Sequence, residues 1–418
     1  MLIIKANIVY SENKDKFKVY KNSYIVIENG KVSGIWTILP DKYKGIRVTD
    51  YGEAVLIPAF SDLHVHAPQY LNRGLEMDLL LPEWLENCTF PMEAEFSDKQ
   101  FAKIVYDAFV DDMLANGTMH ACVYGTIHLD STSYLIEKMD KIGIKGYVGK
   151  VNMDTNSPSS LKENTNKSII DTETFLEKYF KNENTKPIIT PRFAPTCSEK
   201  LLSELGKLGK KYNVGTQTHI VESKWEAEQA KMLFPNCSCD TEIYEKSGLF
   251  GNGPFIGGHF IFPSEEDKRI MKKYNGYVVQ CPDATINITA GIMSTGKLMD
   301  SGINVCLGTD ISAGHNLGVY SQVAKSIQLS KIKEFYENEN NRKITFAESF
   351  YMATKGSEKL FENTGSFEPG YSFDALVIEN LSDNMRKLNP EQIVERFCYI
   401  GTKNNIKARY LNGEEKRI

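Results

Sequence analysis

The stretch that decides the fold is AVLIPAFSDLHVH, residues 54 to 66. This apolar run is typical of a buried strand, and it ends in two histidines separated by one valine. Because successive side chains of a strand point to opposite faces, His64 and His66 point to the same side and can share a metal ion. Taken alone, the pair is equally compatible with two ordinary buried histidines.

Seven further strand-like runs follow this stretch, and longer amphipathic, helix-like segments separate them. The runs are GTMHACVYG (117 to 125), GIKGYVGKVNM (143 to 153), KPIITPRFAP (186 to 195), VGTQTHI (214 to 220), PFIGGHF (254 to 260), GYVVQC (276 to 281) and NVCLGTD (304 to 310). Eight βα units predict an α/β fold, a (β/α)₈ TIM-like barrel, whose active site lies at the C-terminal ends of the strands.

Both ends of the chain are instead rich in short β segments and turns. LIIKANIVY, YIVIENG and KVSGIWTIL open the sequence, and EPGYSFDALVIEN and IKARYLNGEEKRI close it. We expect these ends to form one small β-sandwich domain beside the barrel, since 418 residues exceed the usual size of one core. The predicted division is 1–58 and 367–418 for the two parts of the small domain and 59–366 for the barrel.

Composition and charge narrow the choice of partners. The formal net charge of −5 and the pI near 5.9 argue against nucleic acid or an anionic membrane as the main partner, so a small neutral molecule fits better. The sequence contains no apolar run long enough to span a bilayer, and its eight cysteines follow no disulfide pattern. We therefore expect a cytoplasmic protein with reduced thiols, and we expect no zinc site at the isolated Cys237 and Cys239 pair.

Three more candidate metal ligands appear where a barrel requires them. His219 lies at the end of the fifth predicted strand, His259 at the end of the sixth and Asp310 at the end of the eighth. Imidazole and carboxylate groups are ligands that suit zinc-class ions, and five of them at strand C-termini predict a metal site.

The motifs resemble those of a known family over nearly the whole chain. PAFSDLHVHAPQY (58 to 70), the separated His219 and His259, and GTD at Asp310 resemble the amidohydrolase superfamily. Within that superfamily, the chain resembles the guanine deaminase family. The strings that carry this second likeness are HAPQY, DLLLPEWLENCTFP, VGKVNMD, PRFAPTCS and THIVES.

The resemblance implies a zinc-dependent hydrolase of purine catabolism that converts guanine to xanthine and ammonia. It implies that one Zn²⁺ per subunit, with Fe²⁺ as the other metal considered, binds to His64, His66, His219 and Asp310. It further implies that His259 contacts the metal-activated water and that the protein is a homodimer.

The remaining roles concern proton transfer and substrate binding. By resemblance, Glu222 is the proton donor to the ring nitrogen, and Asp310 can pass a proton from water to ammonia. Gln69, Arg192, Phe193 and Glu222 are expected to contact the purine, with Trp84 as a further cover for its face.

Alternatives to this assignment stay open at the level of sequence. One is an aminohydrolase acting on another amino-substituted heterocycle, such as a triazine, a pterin or an adenosine-like compound. Another is a two-metal hydrolase with a carboxylated lysine, for which Lys186 lies at the wrong strand end and Lys150 at the right one. The last is a non-catalytic barrel that acts as a binding protein. His120, His128 and His315 are expected to be ordinary structural or surface residues.

Overall fold

The structure is a computed structural model that describes residues 1–337, 341–383 and 385–417. Its strands are β1 (Leu2–Asn13), β2 (Lys16–Glu28), β3 (Lys31–Trp36), β4 (Val48–Pro58), β5 (Phe60–His66), β6 (Thr118–Tyr124), β7 (Lys145–Gly149), β8 (Val151–Asn152), β9 (Thr185–Pro187), β10 (Thr190–Pro191), β11 (Thr216–Ile220), β12 (Phe255–His259), β13 (Tyr277–Gln280), β14 (Asn304–Leu307), β15 (Ala375–Ile378), β16 (Ile406–Leu411) and β17 (Glu414–Glu415).

Helices lie between the strands of the central region. They are α1 (Leu81–Trp84), α2 (Phe90–Ala94), α3 (Lys99–Ala115), α4 (Leu129–Ile142), α5 (Thr165–Tyr179), α6 (Glu199–Tyr212), α7 (Lys224–Leu233), α8 (Asp240–Lys246), α9 (Glu265–Lys273), α10 (Pro282–Asn287), α11 (Thr295–Asp300), α12 (Val319–Glu337), α13 (Phe346–Ala353) and α14 (Pro390–Ile400). Across the described ranges, no helix has the length and apolar character needed to cross a membrane.

The two chain ends pair in one seven-stranded sheet. Its strand order is β17-β16-β15-β4-β1-β2-β3. The hairpin between β2 and β3 turns at Asn29 and Gly30, which have φ values of 52° and 75°, as the Asn-Gly pair predicts. The prediction that the first and last segments build a common sheet is therefore confirmed.

The central region is α/β, with two four-stranded parallel sheets. One has the order β5-β6-β7-β9 and the other β11-β12-β13-β14. Helices such as α3 and α4 pack their apolar faces on these strands, with Phe109, Met113 and Leu135 fully buried in the main core. Since all strands of each sheet run parallel, their carboxyl ends lie at the same edge, where polar side chains can meet.

Four predicted strands differ from the structure. The run from 143 to 153 is two strands, β7 and β8, which belong to different sheets. The run from 54 to 66 is two strands, because β4 ends at Pro58 in the seven-stranded sheet and β5 begins at Phe60 in a parallel sheet. The run from 186 to 195 contains two short strands, β9 and β10, so Arg192 lies just after β10. The eighth strand ends at Leu307, and Asp310 lies three residues beyond it.

Candidate active site

Five polar side chains converge at the carboxyl edge of the parallel strands. His64 and His66 come from β5, His219 from β11 and His259 from the last position of β12. Asp310 joins them from the segment after β14. Each residue is at most 8% exposed, so these groups are turned away from bulk water.

The distances among these groups fit a divalent metal ion. His66 Nε2 lies 3.1 Å from His219 Nε2, and Asp310 Oδ1 lies 3.4 Å from His64 Nε2 and 3.5 Å from His66 Nε2. Ligand atoms bound tetrahedrally to one zinc ion at about 2.0 to 2.1 Å lie roughly 3.3 Å apart. The ligand atoms of His64, His66 and His219, and those of His64, His259 and Asp310, form two groups within 4.8 Å.

The chemical state of the imidazoles also suits a metal. Among the described residues, both ring nitrogens of His64 and of His259 are buried without a hydrogen-bond partner. Burial, aided by neighbouring imidazoles, lowers the pKa of His66 and of His219 well below 6.5. Burial lowers the pKa of His259 to about 3, although Asp310 acts in the opposite direction. The rings of His66, His219 and His259 are therefore neutral, which is the form that binds a metal.

Neighbouring groups fix the orientation of the candidate ligands. His219 Nδ1 lies 2.6 Å from the backbone oxygen of Arg192, so the ring donates from Nδ1 and keeps the lone pair on Nε2. Asp62 Oδ1 accepts from the backbone N–H of His64 at 3.2 Å and of Thr309 at 3.0 Å. Asp62 thus joins the segments that carry His64 and Asp310.

Several backbone positions around the site have left-handed conformations. The φ values are 44° at Val221, 72° at His259, 54° at Phe260 and 47° at Asp310. Such conformations are unfavourable for residues other than glycine and persist where the surrounding contacts hold them. The strand ends that carry candidate ligands are therefore held in specific, strained geometries.

Glu222 is a buried carboxyl next to this cluster. Its Oε1 atom lies 3.4 Å from His259 Nε2, and the residue is 7% exposed. Burial, together with the charge of Asp310, raises the pKa of Glu222 to about 8, while Arg192 acts to lower it. A carboxyl of this kind can carry a proton near neutral pH and deliver it to a bound molecule.

A buried polar network forms one wall of the cleft. Gln69 Nε2 donates to Glu93 Oε1 at 2.8 Å, Arg192 Nη1 donates to Glu93 Oε2 at 2.6 Å, and the Ser312 N–H donates to Gln69 Oε1 at 3.1 Å. These contacts fix the amide of Gln69 with its oxygen toward Ser312, and they leave one N–H and one lone pair of the amide for a bound molecule.

Glu93 is a part of this wall that the sequence reasoning missed. It belongs to α2, 24 residues after Gln69 and 99 residues before Arg192, and is 1% exposed. The only signal in the sequence is its place two residues after the quoted stretch DLLLPEWLENCTFP. An isolated glutamate is usually a solvated surface residue, so this signal is weak without the fold.

The other walls of the cleft are apolar. Leu81, Trp84 and Leu85 contribute from the segment around α1, and Phe193 and Trp225 face them. The rings of Phe193 and Trp225 lie 6.4 Å apart, and Phe193 also lies 6.4 Å from the ring of His219. Apolar walls with a few fixed polar groups are typical of a small-molecule site.

Comparison with known proteins places the chain in a family. The sequence model of the Amidohydrolase family matches residues 55–416. Guanine deaminase from Dictyostelium discoideum is 32% identical over 443 residues, which covers 99% of this chain and 97% of that protein. The chain belongs to the guanine deaminase family of the amidohydrolases.

Solved structures of guanine deaminases are also similar to this chain. A crystal structure of guanine deaminase from C. acetobutylicum, with guanine bound in its active site, is 42% identical with a TM-score of 0.96, and 99% of each chain is covered. The E. coli guanine deaminase is 25% identical with a TM-score of 0.91, covering 100% of this chain and 99% of that one.

In this member of the guanine deaminase family, Lys150 and Lys186 were the two candidates for a carboxylated lysine that bridges two metals. Both lie in ion pairs. Lys150 Nζ lies 2.6 Å from Glu163 Oε1 and also donates to the backbone oxygen of Val151. Lys186 lies near the surface, 2.8 Å from Glu362.

The remaining histidines lie outside the ligand cluster. His120 is fully buried between Ser61 and Asp374, and His128 precedes α4. The side chain of His315 is 45% exposed and lies 3.8 Å from Asp283. These positions agree with the structural and surface roles expected for them. Cys237 and Cys239 are half-buried and free.

Proposed function

We propose that this chain hydrolyses guanine to xanthine and ammonia, a step of purine breakdown. The observation that carries the proposal is the placement of Glu222, a buried proton-bearing carboxyl, between the candidate metal ligands and the cleft. The 42% identity with a guanine deaminase crystallised with guanine supports the choice of substrate.

We assign the metal site to His64, His66, His219 and Asp310, with one Zn²⁺ per subunit and Fe²⁺ as the second choice. The nitrogen and carboxylate donors, their spacing and the lowered pKa values of His66 and His219 support this assignment. A bound zinc ion would activate water as a nucleophile at neutral pH.

The chain's own residues then supply the proton transfers. Water adds to the ring carbon that carries the amino group, and Glu222 gives its proton to the adjacent ring nitrogen. Asp310 Oδ2 lies 3.7 Å from His259 Nε2, so both groups lie at the same side of the cleft. Asp310 takes one proton from the attacking water and passes it to the amino group, which leaves as ammonia when the C–N bond breaks, while His259 orients that water. The proton on the new hydroxyl returns to Glu222 as the carbonyl of xanthine forms.

Substrate binding is assigned to Gln69, Arg192, Phe193 and Glu222. Gln69 and Arg192 each keep N–H donors besides the one that binds Glu93, and the Gln69 oxygen keeps one lone pair besides the one that accepts from Ser312. Phe193 and Trp84 supply flat apolar faces for a purine ring. A planar heterocycle with acceptors on its edge suits such a cleft.

We also propose that the two parallel sheets close into one (β/α)₈ TIM-like barrel. A parallel bridge between Ile189 and Thr216 supports closure on one side. On the other side, the Asp310 N–H donates to the His64 oxygen at 2.8 Å, and the His66 N–H donates to the Ile311 oxygen at 3.2 Å.

The seven-stranded sheet is proposed to fold into a small β-sandwich domain. A separate apolar cluster that unites both chain ends, including Ile8, Ile25, Phe373 and Tyr410, supports this reading. The proposed division is then 1–58, 59–366 and 367–418. A homodimer and a cytoplasmic location stay predictions.

The test is incubation of the zinc-loaded protein with guanine, with xanthine and ammonia measured separately. Glu222→Gln is the matched variant, because it keeps the shape of the side chain and removes the titrating carboxyl. Turnover by the wild type that is lost in the variant supports the proposal. If the protein converts a triazine, a pterin or an adenosine-like compound but not guanine, that compound replaces guanine as the proposed substrate. If it converts none of these compounds, a binding protein is favoured.

A further inference from the structure

Two buried carboxyl groups lie close to Glu222 and have no role in the chemistry described so far, although Glu226 also contributes to the lining of the cleft. Glu226 lies in the first turn of α7, and Asp240 is the first residue of α8. Their exposures are 1% and 4%. Within the described part of the chain, neither forms an ion pair with a lysine or arginine. Two such groups without a cation require another source of stabilisation.

Both carboxyl groups bind to consecutive backbone amides. Glu226 Oε2 accepts from the Glu222 N–H at 2.7 Å, and Asp240 Oδ2 accepts from the Val221 N–H at 3.0 Å. Consecutive Cα atoms lie about 3.8 Å apart, so amides of adjacent residues bring their acceptors close together. The two carboxyl groups therefore bind adjacent peptide units, Asp240 the Ile220–Val221 unit and Glu226 the Val221–Glu222 unit, and they lie close enough for the charge of Glu226 to act on Asp240.

The second oxygen of each group lacks a hydrogen-bond partner. Glu226 Oε1 and Asp240 Oδ1 are both buried, and no donor contacts them among the described residues. One proton held between these two oxygens would satisfy both atoms and remove the repulsion between two charges. Burial, with the charge of Glu222, raises the pKa of Glu226 to about 8, and burial with the charge of Glu226 raises that of Asp240.

A third acidic residue nearby, Asp267, is bound in a different way. It accepts from the Thr241 N–H at 3.0 Å, from the Ser264 N–H at 2.8 Å and from Ser264 Oγ at 2.6 Å. Both of its oxygens are thus occupied by donors of the protein. Asp267 therefore has no unpartnered oxygen that a shared proton would satisfy.

The two peptide units that Glu226 and Asp240 bind meet at a strained residue. Val221 has a φ of 44°, which is a rare conformation for a β-branched side chain. Its carbonyl oxygen accepts from the N–H groups of Ile261 and Phe262, at 3.0 and 3.1 Å. Val221 lies between His219 and Glu222, so its conformation determines where the Glu222 side chain points.

We propose that Glu226 and Asp240 are positioning residues, which share one proton and together hold the peptide units on both sides of Val221 so that the Glu222 carboxyl faces the substrate. This inference rests on the proposed function, in which Glu222 is the proton donor. Neither positioning residue needs to touch the substrate for this role.

Amide variants provide a sharp test of the shared proton. One side-chain amide can supply the hydrogen that lies between the two groups, but two amides facing each other leave no acceptor for it. In Glu226→Gln, the side-chain oxygen accepts from the Glu222 N–H, and its amide nitrogen donates to Asp240. In Asp240→Asn, the arrangement is reversed and equally satisfied. In the double variant Glu226→Gln/Asp240→Asn, two amide nitrogens face each other without an acceptor, which is unfavourable.

The measurements are kcat and KM for guanine, zinc content, and hydrogen exchange of the Val221 and Glu222 amides in the metal-free protein. Each single variant should keep kcat within about threefold of the wild type and retain amide protection. The double variant should lower kcat by roughly tenfold or more, beyond the product of the single effects, and lose protection at both amides. Glu228→Gln, an exposed position on α7, is the control.

Two results would overturn the inference: a double variant with unchanged kcat and protection, or a single amide variant as impaired as the double. If the wild type does not convert guanine, the proposed function fails, and the exchange measurement still decides whether the pair holds the peptide. If the double variant does not fold, Glu226→Met replaces it. Methionine cannot accept from Glu222, so it should lose protection where Glu226→Gln keeps it.

Discussion

Glu93 Oε2 lies 2.6 Å from Arg192 Nη1, and the two side chains are only 2% and 4% exposed. The other oxygen of the same carboxylate accepts from Gln69. One residue of α2 therefore sets the orientation of both polar side chains that we propose to contact the purine edge. Glu93 thereby joins α2 to Arg192, which lies just after β10.

Replacement of Glu93 should weaken substrate binding. In Glu93→Gln, one side-chain oxygen is replaced by an N–H₂ group that faces another donor, and Arg192 loses its buried counter-charge. Breaking a buried ion pair costs about 3 to 5 kcal/mol, so we expect kcat/KM for guanine to fall roughly 100-fold or more, mainly through KM. Steady-state kinetics measures this, and the exposed Glu95→Gln is the control. Unchanged KM in Glu93→Gln would contradict the proposed role.

Metal content should be one ion per chain. Removal of the ion with a chelator should lower the thermal midpoint, because a ligand that binds only the native state stabilises it by about 2.7 kcal/mol at 100 times its Kd. Elemental analysis measures the metal content, and thermal unfolding measures the midpoint.

The variant Lys150→Arg should leave the metal content at one ion per chain, since Lys150 is bound to Glu163. Two ions in the wild type and one in this variant would favour the two-metal alternative.

The stability of the metal-free protein should depend on pH through Glu222. Its pKa is raised from 4.5 to about 8, so the folded state holds a proton that the unfolded state releases. This contribution to stability is full below pH 4.5 and is lost as pH rises to about 8. Relative to Glu222→Gln, the wild type should lose roughly 1.4 kcal/mol per pH unit in that window. Urea unfolding at several pH values checks this, and parallel stability curves for the two proteins would exclude the raised pKa.

The buried His120 should contribute to stability without affecting catalysis. Its Nε2 atom lies 3.1 Å from Asp374 Oδ2, and its Nδ1 atom lies 3.1 Å from Ser61 Oγ, so it joins β6 to the C-terminal segment. His120→Ala leaves Asp374 buried without its main side-chain partner and should lower the free energy of unfolding by about 3 to 5 kcal/mol. The exposed His315→Ala should change it by less than about 0.5 kcal/mol. Equal effects of the two variants in urea unfolding would refute this role.

Much of the fold followed from local patterns. The runs that carry His66, His219 and His259 near their ends are strands because each is a short buried segment, and their places in the parallel sheets bring the three imidazoles together. The seven-stranded sheet was also indicated by turn residues such as Asn29 and Gly30. These features depend on residues close together in the sequence.

Other features depend on contacts between distant segments and were not predictable. Asp310 lies beyond β14 because its N–H pairs with the His64 oxygen and Asp62 binds Thr309, contacts that span 246 and 247 residues. Pro58 ends a strand of one sheet directly before another sheet begins, which the continuous apolar pattern of 54 to 66 conceals. The role of Glu93 likewise requires the folded positions of Gln69 and Arg192.

The most direct test of guanine hydrolysis at this site is a reaction in ¹⁸O-labelled water with the zinc-loaded protein. Mass spectrometry of the product should show xanthine with one labelled oxygen, formed together with one equivalent of ammonia, and Glu222→Gln should form almost none. Recovery of unchanged guanine from a fully metal-loaded wild-type protein would contradict the proposed function.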